Sequence, residues 1–495
     1  MDYILPITSL LMIFLLSAYK WVRRMRKRTE GRVPIVSGGR KLSDNEMLYS
    51  DLHDLGICIV SNAIFIESNI QLTEDMLRKA AIMIRKRHPL LRMRIVDVID
   101  SNGFVQKFFQ PVEKEIIDVK TITADDWIEV HSDEMSMPFN AQKGPLWRMR
   151  LLNNHVSATT TDGVHTSILI LTFHHSIIDG NTAMRFVDEL LDGLNSVVDG
   201  KYYIPESLPL YPSMEDTIEI PDMRWWHILC HLIDMGKKSV FKSSNPYIDR
   251  FGLEIIRNPD VHPATKIIPI EFSKLETTLI KTYSTTHGAT VNGVLLAAAL
   301  IAMARIINGG KSGKDMNLKI GFPSNVRNMC MPHVDAKDML GIYTFMDFMN
   351  TDVSCSIDDS SSFGSFASSL TKTTHAMIRR KDGQRILQFA SMIYDLGISV
   401  KQLPADSFDA ATVLSNLGNL QYLTKEKPRA FEITHSYRAT SSDKGNVFSN
   451  YVATIHGRLC WTVAYETDVV SEEQAKTFGD MVVEILTNMC INNQH

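Results

Sequence analysis

The 495-residue chain is long enough to bury a large core, and chains of this length commonly divide into two domains or lobes. Charged residues make up 22% of the sequence and hydrophobic residues 44%, which indicates a globular protein and argues against disorder. The formal net charge of -4 argues against nucleic acid as a partner.

The N-terminal segment has the composition of a membrane anchor. Residues 3–19 carry no charge, and the apolar stretch reaches position 22 if Lys20 extends its amine to the bilayer surface. Basic residues follow directly, at Arg23, Arg24, Arg26, Lys27 and Arg28. The positive-inside rule then predicts a single-pass protein with a cytoplasmic body, and we expect the endoplasmic reticulum as its membrane. The alternative is a buried helix of the globular body.

A first amphipathic helix is predicted within residues 69–94. Thr73 is a candidate N-cap, an apolar stripe follows at helical spacing, and Pro89 ends the helix. The end of this segment, Arg87-His-Pro-Leu-Leu-Arg92, is basic. By itself such a cluster indicates a solvated helix terminus.

The most informative stretch is residues 167–180. The apolar run 168–173 predicts a buried strand that ends at His174 and His175, and Asp179 and Gly180 follow before an amphipathic helix. Adjacent side chains at a strand end point to opposite sides, so one histidine can face a given cavity. An imidazole near its unperturbed pKa can accept a proton from a hydroxyl or amine at neutral pH. The alternative is a core histidine pair beside a capping Asp.

The connector between the two halves has two interpretations. Residues 205–221 are rich in Pro, Glu and Ser, and Trp225 and Trp226 precede three lysines, at Lys237, Lys238 and Lys242. Tryptophans flanked by lysines are typical of an interfacial helix. The alternative is a connector that packs its tryptophans against the two lobes.

Four patterns stand out in the second half. Residues 290–305 predict a nearly all-apolar helix that ends before Gly309. Two predicted strands then end in polar residues, one in Ile320-Gly-Phe-Pro-Ser-Asn-Val-Arg327 and the other in Leu414-Ser-Asn-Leu-Gly418. The strand 461–465 and a helix from Glu472 close the chain.

Residues 174–180 read His-His-Ser-Ile-Ile-Asp-Gly, and this run resembles the HHxxxDG signature of the chloramphenicol acetyltransferase-like superfamily. That group includes CoA-dependent alcohol O-acyltransferases, wax-ester synthases and condensation domains. The resemblance implies an α/β (α+β) fold of two acetyltransferase-like lobes, arranged as a V-shaped pseudo-dimer with a tunnel between them. It gives four segments: the anchor with its basic flank at 1–30, the first lobe at 40–204, the connector at 205–260 and the second lobe at 261–495.

The resemblance also implies residue roles. His175 would be the catalytic base and Asp179 its catalytic partner, while His174 and Gly180 complete the motif. Arg87–Arg92 resembles the family's RHxxLR motif, which implies that Arg92 pairs with Asp179. Possible tunnel or oxyanion residues follow from the second-half motifs, at Ser415, Asn416 and Arg327. The DFGWG motif of the plant BAHD branch is missing from the sequence.

The implied activity is acyl transfer from an acyl-CoA co-substrate to the hydroxyl of a hydrophobic alcohol or lipid, without a covalent acyl-enzyme. We expect no bound cofactor and no metal. The six cysteines are dispersed without a CxxC pair, which fits a reducing compartment better than a disulfide framework. Two alternatives stay open. One is an N-acyltransferase that forms amides, and the other is a catalytically silent lipid-binding protein that keeps the two lobes.

Overall fold

The computed structural model describes residues 38–99, 105–152, 163–220, 245–252, 264–332, 335, 338–395, 410–423, 429–441 and 445–492. The predicted anchor at 1–30 lies outside these residues, and so do Trp225 and Trp226 of the connector.

The described residues of the first half form seven strands. They are β1 (Arg40–Lys41), β2 (Ile59–Ser68), β3 (Met93–Ile99), β4 (Val105–Pro111), β5 (Val119–Ile122), β6 (Trp147–Leu152) and β7 (His165–His174). Its helices are α1 (Asp44–Asp54), α2 (Glu74–Arg87), α3 (Trp127–Ser136), α4 (Gly180–Val198) and α5 (Met214–Thr217). The helix predicted within 69–94 is α2, and the side chain of Thr73 caps it as expected.

Seven more strands lie in the part of the second half that the structure describes. They are β8 (Thr265–Phe272), β9 (Met316–Asn325), β10 (Thr344–Val353), β11 (Ala410–Asn419), β12 (Phe431–Thr440), β13 (Asn446–Ile455) and β14 (Arg458–Glu466). Its helices are α6 (Pro246–Phe251), α7 (Lys274–Thr286), α8 (Val291–Asn308), α9 (Ser360–Arg380), α10 (Asp382–Asp395) and α11 (Glu472–Leu486).

Two mixed sheets organise the two halves. The first has the strand order β12–β2–β7–β6–β5, and the second has the order β10–β9–β11–β13–β14–β8. A small third sheet, β1–β4–β3, lies in the first half. Strand β12 comes from the second half of the chain but pairs antiparallel with β2 in the first sheet. The second half of the chain therefore contributes a strand to the first sheet, which brings second-half side chains next to the histidine motif; β12 is called the exchanged strand below.

The central strand of the first sheet is the one that the apolar run predicted. Strand β7 pairs with β2 on one side and β6 on the other, and residues 168–173 are all buried. Alternate residues face two cores: Leu169, Leu171 and Phe173 pack under α4, and Ile168 and Ile170 pack on the opposite face. A strand buried on both faces needs no polar alternation, which explains its continuous apolar sequence.

Helix α8 is the core of the second half. Thr290 caps its start, and Gly309 ends it in the left-handed conformation with φ of 75°. Within the described residues, α8 is the one helix long and apolar enough to cross a membrane, and 83% of it is buried inside the protein. Its burial matches the core helix that the sequence predicted.

Candidate functional site

The histidine motif lies where β7 meets α4. The strand ends at His174, a single turn of 3-10 helix covers His175–Ile177, and α4 begins at Gly180 with Asp179 as its N-cap. Because the chain turns immediately after the strand, the two histidine rings enter different environments.

His174 faces the interior. Its side chain is fully buried, its Nδ1 accepts a hydrogen bond of 3.2 Å from the Ser176 amide, and its ring lies 4.1 Å from the ring of His53. Burial lowers the pKa of His174 well below its usual value, so the ring is neutral. His174 therefore holds the turn in place.

His175 takes the other side of the turn and stays partly exposed. Its ring stacks on Tyr49 with the centroids 4.0 Å apart and the planes at 21°. Burial lowers the pKa of His175 to about 4, although the Asp179 carboxylate opposes that shift. The imidazole is therefore uncharged at neutral pH and free to accept a proton.

Asp179 is buried in an ion pair that joins the two halves of the chain. Its Oδ2 lies 2.9 Å from Nη1 of Arg327, and its Oδ1 accepts a bond of 3.1 Å from Nη2 of the same guanidinium. The amides of Thr182 and Tyr343 each donate to this carboxylate at 2.9 Å. Burial would raise the pKa of Asp179, but Arg327 holds it below the ordinary value. With both oxygens occupied, Asp179 is placed to position the turn.

The expected pair between Arg92 and Asp179 is wrong. Nη2 of Arg92 donates to the hydroxyl of Ser207 at 2.6 Å, within the first half of the chain. Arg327 reaches Asp179 from the end of β9 and fills both carboxylate oxygens, so a second guanidinium has no acceptor left there. Nη1 and Nη2 of Arg327 donate to Asp179, Asn325, Thr182 and Gly341, and its expected tunnel or oxyanion role stays a prediction.

The Ser-Asn-x-Gly segment of β11 separates into two roles. Oδ1 of Asn416 accepts a bond of 2.8 Å from the Gly418 amide, which closes a local turn. The hydroxyl of Ser415 accepts a bond of 2.6 Å from Nη2 of Arg438. Ser415 therefore lies beside a cation that the sequence analysis did not include.

Arg438 is on the exchanged strand β12, and Gly180 makes room for it. A Cβ on Gly180 would lie 1.4 Å from Nη1 of Arg438 and 2.6 Å from its Cζ. The motif glycine is thus needed for a close approach, and every larger residue would displace the guanidinium. The sequence could have indicated Arg438 as a site residue only if the pairing of β12 with the first sheet had been known.

Within the described ranges, no group of three or more His, Cys, Asp or Glu side chains is arranged to hold a metal ion. The site groups found above are an imidazole, a buried ion pair, a hydroxyl and a guanidinium. These can move a proton and stabilise a negative oxygen.

Buried neutral histidines predict that stability is lost on mild acidification. Burial lowers the pKa of His53 and His131 to about 4 and that of His174 further. As the pH falls below 6.5, these histidines become protonated in the unfolded chain while they are still neutral in the folded protein. The stabilisation present above pH 6.5 is therefore lost as pH falls towards 4. Glu215, whose pKa burial raises to about 7, acts in the opposite direction and offsets one histidine. His175, with a pKa lowered to about 4, adds a fourth histidine, so the net slope is on the order of a few kcal/mol per pH unit between pH 6 and 5.

Urea unfolding at pH 7.5, 6 and 5 measures this slope. His131→Leu is the matched variant, since both ring nitrogens of His131 are buried without a partner, and it should lower the slope by about one proton. An unfolding free energy that changes by less than about 1 kcal/mol over this range would contradict the assignment.

Comparison with known proteins gives one family and a set of structural neighbours. The condensation-domain family model matches residues 240–495, slightly more than half of the chain. No curated protein sequence matches the chain. The family match begins after the histidine motif, so the motif and the match are independent observations.

Three solved structures illustrate the structural likeness. The trichothecene 15-O-acetyltransferase TRI3 from Fusarium sporotrichioides has a TM-score of 0.68 at 11% identity, with 93% of this chain and 97% of that chain covered. Polyketide synthase associated protein 5 from Mycobacterium tuberculosis has 0.59 at 16%, with 90% and 98% covered. The condensation domain of the monacolin K polyketide synthase MokA has 0.58 at 13%, with 93% and 99% covered. At these identities the likeness shows the fold, a mixed α/β fold of two lobes.

Proposed function

The chain belongs to the condensation-domain family, and from that premise we propose that it is a CoA-dependent O-acyltransferase whose acceptor is a hydrophobic alcohol or lipid. The family and the acetyltransferase-like fold support acyl transfer in general. The observation that carries the proposal is the presentation of His175. Both histidines of the pair are neutral, and His175 is the one that is partly exposed, on a turn that the Asp179–Arg327 ion pair fixes.

In the proposed reaction His175 is the general base. The acceptor hydroxyl attacks the thioester carbonyl carbon while His175 takes its proton, and the new C–O bond forms. The C–S bond then breaks, and the departing thiolate takes the proton from His175. No covalent acyl-enzyme is required, and in the described part of the chain no serine or cysteine hydrogen-bonds to His175.

We place the acyl donor and the acceptor in a tunnel between the lobes. Two contacts across the lobes support this placement. Asp179 at the start of α4 pairs with Arg327 at the end of β9, and Gly180 approaches Arg438 of the exchanged strand. The proposed site is thus built from both halves of the chain, and each half alone would lack part of it.

The test is a screen of free-CoA release by the full-length protein across acyl-CoAs of increasing chain length and a panel of alcohols. Acceptor-dependent release with formation of the ester is the expected result. Matched amines in place of the alcohols separate ester from amide formation. Amide products without ester, or tight binding of acyl-CoA with no release for any acceptor, would refute the proposal.

We also propose that residues 1–30 anchor the protein with its catalytic body in the cytoplasm, at the endoplasmic reticulum. The uncharged stretch followed by five basic residues supports this. Adding lipid vesicles to the screen tests the anchor. The full-length protein should float with the vesicles in a density gradient, and it should favour acceptors that partition into the bilayer. Full-length protein that stays in the aqueous phase would contradict the anchor.

A further inference from the structure

Arg438 is a buried cation without a counter-ion. Its side chain is 8% exposed, and within the described residues no Asp or Glu oxygen forms an ion pair with it. Its Nε is buried without a hydrogen-bond partner. A buried guanidinium loses the hydration of its charge, and proteins normally compensate this with a carboxylate. Asp179, the neighbouring anion, is already committed to Arg327.

The guanidinium is nevertheless held in a defined place. Nη2 donates to the Ser415 hydroxyl at 2.6 Å, and Cζ lies 5.0 Å from the centre of the Tyr451 ring. Nη1 points at the Cα of Gly180, where a Cβ would collide with it. Contacts with β11, β13 and the start of α4 thus fix a positive charge beside Gly180. Gly180 follows the turn that carries His175.

A second buried polar side chain without hydrogen-bond partners lies beside Arg438. Asn62 of β2 lies directly opposite Arg438 in the strand pairing, and neither polar atom of its fully buried side chain has a partner. Buried polar groups are nearly always hydrogen-bonded in native proteins. Arg438 and Asn62 are thus two adjacent buried side chains that both leave hydrogen-bonding atoms without a partner.

We propose that Arg438 is the charge-stabilising residue of this site, and that it receives the negative oxygen formed on the thioester carbonyl during acyl transfer. The proposal rests on the proposed function. When the acceptor oxygen bonds to the carbonyl carbon, the electron pair of the C=O double bond moves to the carbonyl oxygen. That oxyanion lies against the guanidinium until the pair returns and the C–S bond breaks. The charge is unpaired in the free protein because its partner exists only in the transition state.

Ser415 is then a positioning residue. Its hydroxyl accepts from Arg438 and keeps one proton to donate, which orients the guanidinium and can support the same oxygen. Gly180 acts in the same way from the other side, by leaving the space that Nη1 occupies.

The first test is a kinetic comparison of Arg438→Met and Arg438→Lys in the full-length protein. Loss of the donor should lower kcat by about 10²–10³-fold, with KM for acyl-CoA and for a neutral alcohol within about threefold. Lysine keeps the charge without the planar fork and should recover part of the loss. Arg458→Met is the matched control, because Arg458 pairs with Glu271 on β8 and its loss should leave kcat unchanged.

Gly180→Ala tests the geometry without removing the charge. The added Cβ forces the guanidinium to move, so kcat should fall as in Arg438→Met while the KM values hold. A loss confined to acceptors that carry a carboxylate, and seen in KM, would overturn the proposal and make Arg438 an anchor for an anionic substrate. Unchanged kcat in Arg438→Met would overturn it as well.

Thermal melting needs no substrate and separates this proposal from the proposed function. An unpaired buried charge does not stabilise the fold, so Arg438→Met should melt at the native temperature or above. Melting lowered by more than about 5 °C would make Arg438 a structural residue and overturn the assignment, even if the native protein transferred no acyl group.

Discussion

His175→Ala should lower kcat by about 10²–10⁴-fold, the range that general-base catalysis contributes, while acyl-CoA still binds. The ring stacks on Tyr49 and is partly exposed, so its loss removes a proton acceptor without opening the core. Steady-state kinetics gives kcat, and calorimetry with a non-transferable acyl-CoA analogue gives the binding constant.

The pH profile adds a test that a structural role would not reproduce. Because the pKa of His175 is about 4, kcat/KM should stay level from neutral pH to below 6 and decline as the ring becomes protonated. The acid destabilisation predicted above requires circular dichroism at each pH, so that lost activity is not mistaken for unfolding.

His174→Ala is the matched control for His175→Ala. It removes an imidazole of the same size from the adjacent position, but one that is fully buried and bonded to the Ser176 amide. Its cost should appear in stability, at about 1–3 kcal/mol for the amide left without an acceptor, and far less in kcat. Equal losses of kcat in the two folded variants would overturn the assignment of the base.

The local patterns of the sequence predicted much of this site. The apolar run of β7, the two histidines at its end and the capped helix after Asp179 all depend on residues close together in the chain. Within a single strand or helix, the spacing of apolar and polar residues indicates which side chains are buried. The alternation of neighbouring side chains was enough to predict that one histidine faces inward, and His174 does so.

The partners of the motif could not be predicted in the same way. Arg327 is 148 residues from Asp179, and Arg438 reaches Gly180 through a strand exchanged between sheets. No periodicity encodes which distant strand joins a sheet edge. The prediction for Arg92 failed because a resemblance to the RHxxLR motif does not encode which guanidinium contacts the carboxylate. Arg92 and Arg327 both carry a guanidinium, and only the fold decides which of them meets Asp179.

The two arginines near α4 also differ in what they do. Arg327 neutralises Asp179 and joins the lobes, whereas Arg438 has no carboxylate partner among the described residues. A cation with a fixed partner stabilises the fold, and one without a partner is available to a substrate. Removing Arg327 should therefore lower the free energy of unfolding, whereas removing Arg438 should lower turnover without lowering that free energy.

Breaking the Asp179–Arg327 pair should cost about 3–5 kcal/mol of unfolding free energy, because either single substitution leaves a buried charge unpaired. Asp179→Asn leaves a guanidinium that still donates to Asn325 and Thr182, and Arg327→Met leaves a carboxylate that still accepts from the Thr182 and Tyr343 amides. The cost of each variant should therefore come mainly from the buried charge that loses its counter-ion. Since the pKa of Asp179 lies below its ordinary value, the pair is fully charged at pH 7 and weakens only in strong acid.

A double-mutant cycle with Asp179→Asn and Arg327→Met measures the contact itself. Urea unfolding should show a coupling free energy of about 1–3 kcal/mol, since the second substitution costs less once the first has removed its partner. Arg92→Met is the matched control: it removes a guanidinium that bonds to Ser207, should cost less than about 1 kcal/mol, and should be additive with Asp179→Asn. Additive effects of Asp179→Asn and Arg327→Met would contradict the Asp179–Arg327 contact. Coupling between Asp179→Asn and Arg92→Met would instead support Arg92 as the partner of Asp179. The coupling should also appear in turnover, because the turn that presents His175 depends on this ion pair between the lobes.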